Sequence, residues 1–150
     1  MASLSRLLLL TVSSLLISCA NMEHLPASYQ GPVATIEQTV RTDSEKRNCG
    51  FVLAIDDKDY KMSDVSKLKR VFNVEPGKHR LLLRGHVVYL MEIRNFVPTP
   101  HAEGWVDVNL VAGKKYQVQT EHDKAGTSVW LSDAESGKPV SAVIAPTPRR

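Results

Sequence analysis

The sequence contains no apolar run long enough to cross a bilayer as a helix. Its most hydrophobic segment, Leu7 to Ile17, falls well short of the roughly 20 residues such a span requires. Cysteine is scarce: Cys19 and Cys49 are the only two, which limits covalent cross-linking to a single pair. Neither sign of charge dominates, with 19 Lys and Arg interleaved with 16 Asp and Glu, whereas a nucleic-acid binder concentrates its positives on one face. The five histidines, His24, His79, His86, His101 and His122, never stand two or four residues apart. No single strand or helix therefore presents two metal ligands, and no metal or cofactor is expected. No Gly-x-Ser-x-Gly elbow presents a nucleophile either.

What is present begins at the N-terminus. Arg6 precedes the apolar core Leu7 to Ile17, and the small residue Ser18 stands just before Cys19. That is the layout of a signal peptide that is removed from the mature protein. Leu16-Ile17-Ser18-Cys19 resembles the lipobox of bacterial lipoproteins, with an aliphatic residue three places before an obligatory Cys and a small residue directly before it. The resemblance implies that residues 1–18 are cleaved off, that Cys19 carries a diacylglycerol thioether, and that the new N-terminus is acylated as well. Each buried lipid CH₂ contributes about 0.8 kcal/mol, so two or more chains anchor a protein stably. Ala20 stands where Asp would signal inner-membrane retention, which points to the outer membrane, with the periplasmic side favoured over the cell surface. The mature chain then has 132 residues, enough for one domain, and carries 18 basic and 16 acidic side chains. Cys49 is left either as a buried, inert thiol or as an intermolecular partner.

Residues 19–32 read as the lipidated N-terminus and a linker. Pro26, Ser28, Gln30, Gly31 and Pro32 interrupt any apolar periodicity, and spacers of that composition lift a domain off the bilayer. Residues 33–144 read as a single β domain, and residues 145–150 as a disordered tail. Short apolar runs alternate with turn signals throughout the domain. The expected strands are Val33 to Ile36, Phe51 to Ile55, Val71 to Val74, His79 to Leu83, His86 to Phe96, Trp105 to Leu110, Tyr116 to Thr120, Ser128 to Leu131 and Val140 to Ile144. Phe51 to Ile55 is apolar on both faces, as a strand covered on both sides would be. Trp105 to Leu110 alternates strictly, with Val106, Val108 and Leu110 inward.

Arg41 to Asn48 is polar and reads as a loop. Glu75-Pro76-Gly77-Lys78 reads as a type II turn, because Pro fixes φ near −65° and Gly accepts the positive φ that follows. Only Ser63 to Arg70 has helical spacing, for at most one short helix. The expected fold is all-β: a small antiparallel β-sandwich or partly open barrel of about eight strands.

Phe51 to Asp56 and Phe72 to Leu83, with the Pro76-Gly77-Lys78-His79 hairpin, resemble the PEGA-type β modules of bacterial envelope proteins over about 35 residues, Phe51 to Gly85. The sequence departs from that pattern at Asp57, where Gly is expected, and in a longer, charged stretch from Asp59 to Arg70. The resemblance implies an extracytoplasmic module for structure or adhesion and carries no catalytic residue.

Individual residues sharpen this reading. Trp105 and Trp130 have the opposite parity to their apolar neighbours, so they either form an outward aromatic patch for sugar or protein contact or cover a second small core under the Asp64 to Arg70 segment. Lys67, Lys69 and Arg70 read as a solvated face. Cys49, placed just before an apolar strand, has no activating base nearby in sequence; His101 with Glu103, and His122 with Asp123, are the nearest approaches to a ligand set. Glu92, Glu103 and Asp107 form no recognisable carboxylate pair. The leading function class is a non-enzymatic outer-membrane lipoprotein, a binding or envelope-assembly module with a protein or glycan partner and no nucleic acid. The alternative is a lipid-tethered periplasmic hydrolase using Cys49 or an assembled His site.

Overall fold

The computed structural model describes residues 24–26, 28–60, 70–89 and 101–146. The signal peptide, Cys19, Lys67, Lys69, Glu92, the expected helix up to Lys69 and the second half of the His86 to Phe96 run lie outside these residues. The described chain forms β1 (Ala34–Glu37), β2 (Thr39–Thr42), β3 (Lys46–Ile55), β4 (Lys58–Asp59), β5 (Val71–Val74), β6 (Gly77–Tyr89), β7 (His101–Leu110), β8 (Lys115–Asp123) and β9 (Gly126–Asp133). These strands make two sheets, one ordered β5-β1-β8-β9 and one ordered β2-β3-β6-β7 with β4 also on β3. The architecture is an all-β sandwich, not a closed barrel, and no helix occurs among the described residues. Every strand pair is antiparallel except β1 with β8, which is parallel.

Alternation builds the core. Ile36, Phe72, Val118, Val129 and Leu131 point inward from the first sheet, and Val52, Leu81, Leu83, Val106 and Leu110 from the second, all nearly inaccessible. The apolar run Phe51 to Ile55 has a different origin from cover on both faces. A bulge between Val52 and Ala54 lets Val52 and Ile55 both turn inward, while Phe51 and Leu53 stay half-buried.

Three further expectations are corrected. Arg41 to Asn48 is not a loop: it ends β2, turns at Asp43 and begins β3. Asp43 Oδ1 accepts from the amides of Glu45 (2.9 Å) and Lys46 (2.7 Å), which closes the turn. The run is polar because β2 is a sheet edge, where side chains meet water without leaving the ladder. Glu75 and Pro76 do not close a hairpin, since β5 pairs with β1 and β6 with β3 and β7; the turn carries the chain from one sheet to the other. Val140 to Ile144 is a strap along β9, not a full strand. It bridges at Val129 with Ile144 and Ser132 with Pro139, and the Ser141 hydroxyl accepts the Leu131 amide (2.9 Å) in place of a backbone carbonyl. Ile144 packs against the core and Pro146 lies over Gly126, so the first residues of the expected tail are held.

The two sheets approach each other at Gly50 and Gly85, which stand opposite one another on β3 and β6. A Cβ at Gly50 would lie 2.6 Å from the Val118 carbonyl oxygen, and one at Gly85 would lie 2.9 Å from Val129 Cβ. Two hydroxyls tie the sheets at the same place: Thr39 Oγ1 donates to the Val118 carbonyl, and Thr120 Oγ1 to the Cys49 carbonyl at 3.1 Å.

The linker is not a free spacer over its whole length. His24 Nδ1 lies 2.6 Å from the Tyr60 hydroxyl, and the Tyr60 ring packs edge-on against Phe72 at 4.8 Å between centroids. Composition reports only that this segment cannot form regular structure; a single hydrogen bond to a buried ring is enough to dock it.

Candidate functional site

The turn after β3 places Asp56 in the left-handed region, at φ 51°, a conformation that Asp tolerates better than most residues. From there its carboxylate clamps the start of β6. Oδ1 accepts the Arg80 amide at 2.9 Å and Oδ2 accepts His79 Nδ1 at 2.8 Å, while the Asp56 amide donates to the Arg80 carbonyl at 2.7 Å. His79 Nε2 bonds the Glu75 carbonyl at 2.8 Å. Both ring nitrogens are thus committed to holding the turn, and neither is placed to move a proton for a substrate.

This clamp forms one wall of a shallow groove of about 630 Å³, lined also by Lys78, Arg80, Asp107, Asn109 and Val140. Arg80 stands opposite Asp107, and Lys78 opposite Asn109, so cations, a carboxylate and an amide line the floor in cross-strand pairs. Two residues further along β7, Trp105 is 41% exposed, with the Arg80 guanidinium 4.7 Å from its ring centroid. An aromatic surface beside hydrogen-bonding groups of both signs can hold a polar partner that also offers apolar area.

The other expected site residues lie apart. Trp130 is half-buried on β9, and because β7 and β9 belong to different sheets, the two tryptophans face outward on opposite sides of the sandwich. They do not form one patch. Cys49 is 3% exposed, and it stands opposite His86, which in turn stands opposite His101. Burial pushes the Cys49 thiol up in pKa despite Arg47, away from the thiolate a nucleophile needs. Burial, with His101 and Arg84 beside it, pushes His86 down. Glu103 is paired with Arg84. His122 is hydrogen-bonded to Thr127 at 2.9 Å and meets the Tyr89 ring edge-on. Arg70 is buried where β5 begins, not on a solvated face. No three His, Cys, Asp or Glu among the described residues are placed to hold a metal ion.

Asp56, His79 and Arg80 were not singled out by sequence. The turn pattern puts its expected Gly at Asp57, whereas the positive φ and the clamping carboxylate belong to Asp56, one residue earlier. No family model, curated protein or solved structure matches this chain.

Native Cys49 is expected to resist alkylation and to label fully only after denaturation. Rapid labelling of the folded protein, or loss of a defined activity in a folded Cys49→Ala variant, would return the thiol to consideration as a nucleophile.

Proposed function

We propose that this chain is a lipoprotein of the bacterial outer membrane, cleaved before Cys19 and held there by lipid, that acts by contact and not by turnover. Its contact surface is the groove together with Trp105. The observation that carries this reading is the exposed Trp105 ring stacked with Arg80 beside a groove of paired charges. A monomer gains little by leaving such a side chain in water, whereas interfaces are enriched in Trp and Arg. The tether adds effective concentration, so a weak contact with another envelope protein or a glycan suffices.

Two experiments test it. Cys19→Ser is expected to release the folded domain from the membrane fraction or to leave an unprocessed precursor; a mutant of mature mass that stays membrane-bound in high salt would defeat the lipid anchor. Trp105→Ala is expected to cost less than about 1 kcal/mol of stability, the size of an exposed cation–π contact, while cutting in-membrane cross-links to the partner. Unchanged cross-links would move the contact surface elsewhere, and a loss of several kcal/mol would make Trp105 a packing residue.

A further inference from the structure

We propose that the end of the sandwich formed by the Asp56 to Lys58 turn and the Glu75 to Gly77 connection rests against the lipid headgroups, with the opposite end projecting away from the bilayer. The inference rests on the lipid at Cys19 and turns on how little chain separates that residue from the folded domain. His24 is docked on Tyr60, so the sequence separation from Cys19 to the dock limits the reach to at most about 18 Å even if fully extended.

The charges acting on the His24 ring locate it. They come from Lys58, Asp56, His79 and Glu75, which lie on the two turns at this end and at the start of β6. The turns at Asp43 to Glu45 and at Asp123 to Gly126 close the opposite end. β8 and β3 run between the two ends with nine and ten residues, roughly 30 Å at the rise of a strand. A tether of that reach cannot stand the sandwich upright on its distant turns while His24 stays docked.

One further feature of the near end suits headgroups. The connection from β7 to β8 also lies there, since Leu110 pairs with Gly77, and it carries Val111, 52% exposed, and leads into the exposed Lys115. An exposed apolar residue and a long cationic side chain on one connection suit the polar–apolar boundary of a lipid surface. The dock itself favours an uncharged ring. Burial and then Lys58 lower the His24 pKa, and burial holds the Tyr60 hydroxyl protonated, with its pKa pushed up to about 12.

The test uses the lipidated protein in phosphatidylcholine vesicles that contain a headgroup-attached quencher. A fluorophore is placed at Asp57→Cys or at Ala125→Cys, one at each end, with Cys49 buried and Cys19 blocked by lipid. Quenching is expected to be several-fold stronger at position 57 than at 125. His24→Ala, and Tyr60→Phe, which keeps the ring against Phe72, are expected to bring the two values together. Equal quenching in the parent protein, or a difference that survives His24→Ala, overturns the orientation and leaves the anchor intact. A mature chain whose mass shows a bare Cys19 overturns the anchor itself, and the orientation with it.

Discussion

Gly50→Ala is expected to lower the unfolding free energy by about 3 kcal/mol, the upper part of the range for overpacking a close-packed interior. The added methyl would stand 2.6 Å from the Val118 carbonyl oxygen and 2.8 Å from Val118 Cγ1. Backbone cannot swing aside as a side-chain tip can. Relief requires the two sheets to separate locally, which also stretches the hydrogen bond from Thr39 to the same carbonyl. Gly85→Ala is expected to cost somewhat less, since its nearest neighbours are the Val129 Cβ at 2.9 Å and the Thr120 methyl at 3.1 Å. Gly104→Ala serves as the control. Its new methyl meets only Ile144 side-chain atoms, the nearest at 3.2 Å, and the strap can shift to accept it, so a change under about 1 kcal/mol is expected. Urea titrations should show the midpoint falling in the order Gly50, Gly85, Gly104 at constant m-value. A Gly50→Ala protein that melts with the parent would mean that the sheets do not approach at this pair.

Asp56→Ala is the second large effect, with an expected loss of about 2 to 3 kcal/mol. The change removes the acceptor for the Arg80 amide and for His79, whose side chain is only 11% exposed, and leaves a β-carbon at a positive φ without the carboxylate that compensated it. Asp56→Asn keeps an acceptor for the Arg80 amide and tolerates the left-handed conformation, so its cost is expected to be about 1 kcal/mol at neutral pH.

The pH dependence separates the charge from the hydrogen bonds. Burial alone would raise the Asp56 pKa, but the Arg80 amide and the His79 ring outweigh it, and the carboxyl titrates below the ordinary aspartate range. A group depressed on folding contributes its full stabilisation above the unfolded pKa, about 4, and loses it as pH falls through the lower folded value. The stability gap between the parent and Asp56→Asn is therefore expected to narrow as pH falls below about 4. A gap that widens on acidification would contradict the clamp.

Much of the fold was legible locally. Val106, Val108 and Leu110, then Tyr116 and Val118, then Val129 and Leu131 declare an inner face by alternation, and all are buried in one core. Asp, Pro and Gly clusters marked most chain reversals. The polar run from Arg41 to Asn48 misled because polarity reports contact with water, and an edge strand meets water while remaining in a sheet. The groove was less legible than the core. Arg80, Trp105 and Asp107 are distributed over 28 positions of sequence and meet only through the pairing of β6 with β7.

Sequence by itself determined the class of the domain, its inward rows and the outward parity of both tryptophans, because the period of two in a strand is a property of neighbouring residues. Only the tertiary structure decided which sheet each strand joined. That choice put Trp105 and Trp130 on opposite faces, set Gly50 against Gly85 and Val118, drew His79 to Asp56, and docked His24 on Tyr60. Each of these depends on residues distant in sequence whose pairing is selected by the joint burial of both sheets, and no local pattern encodes that selection.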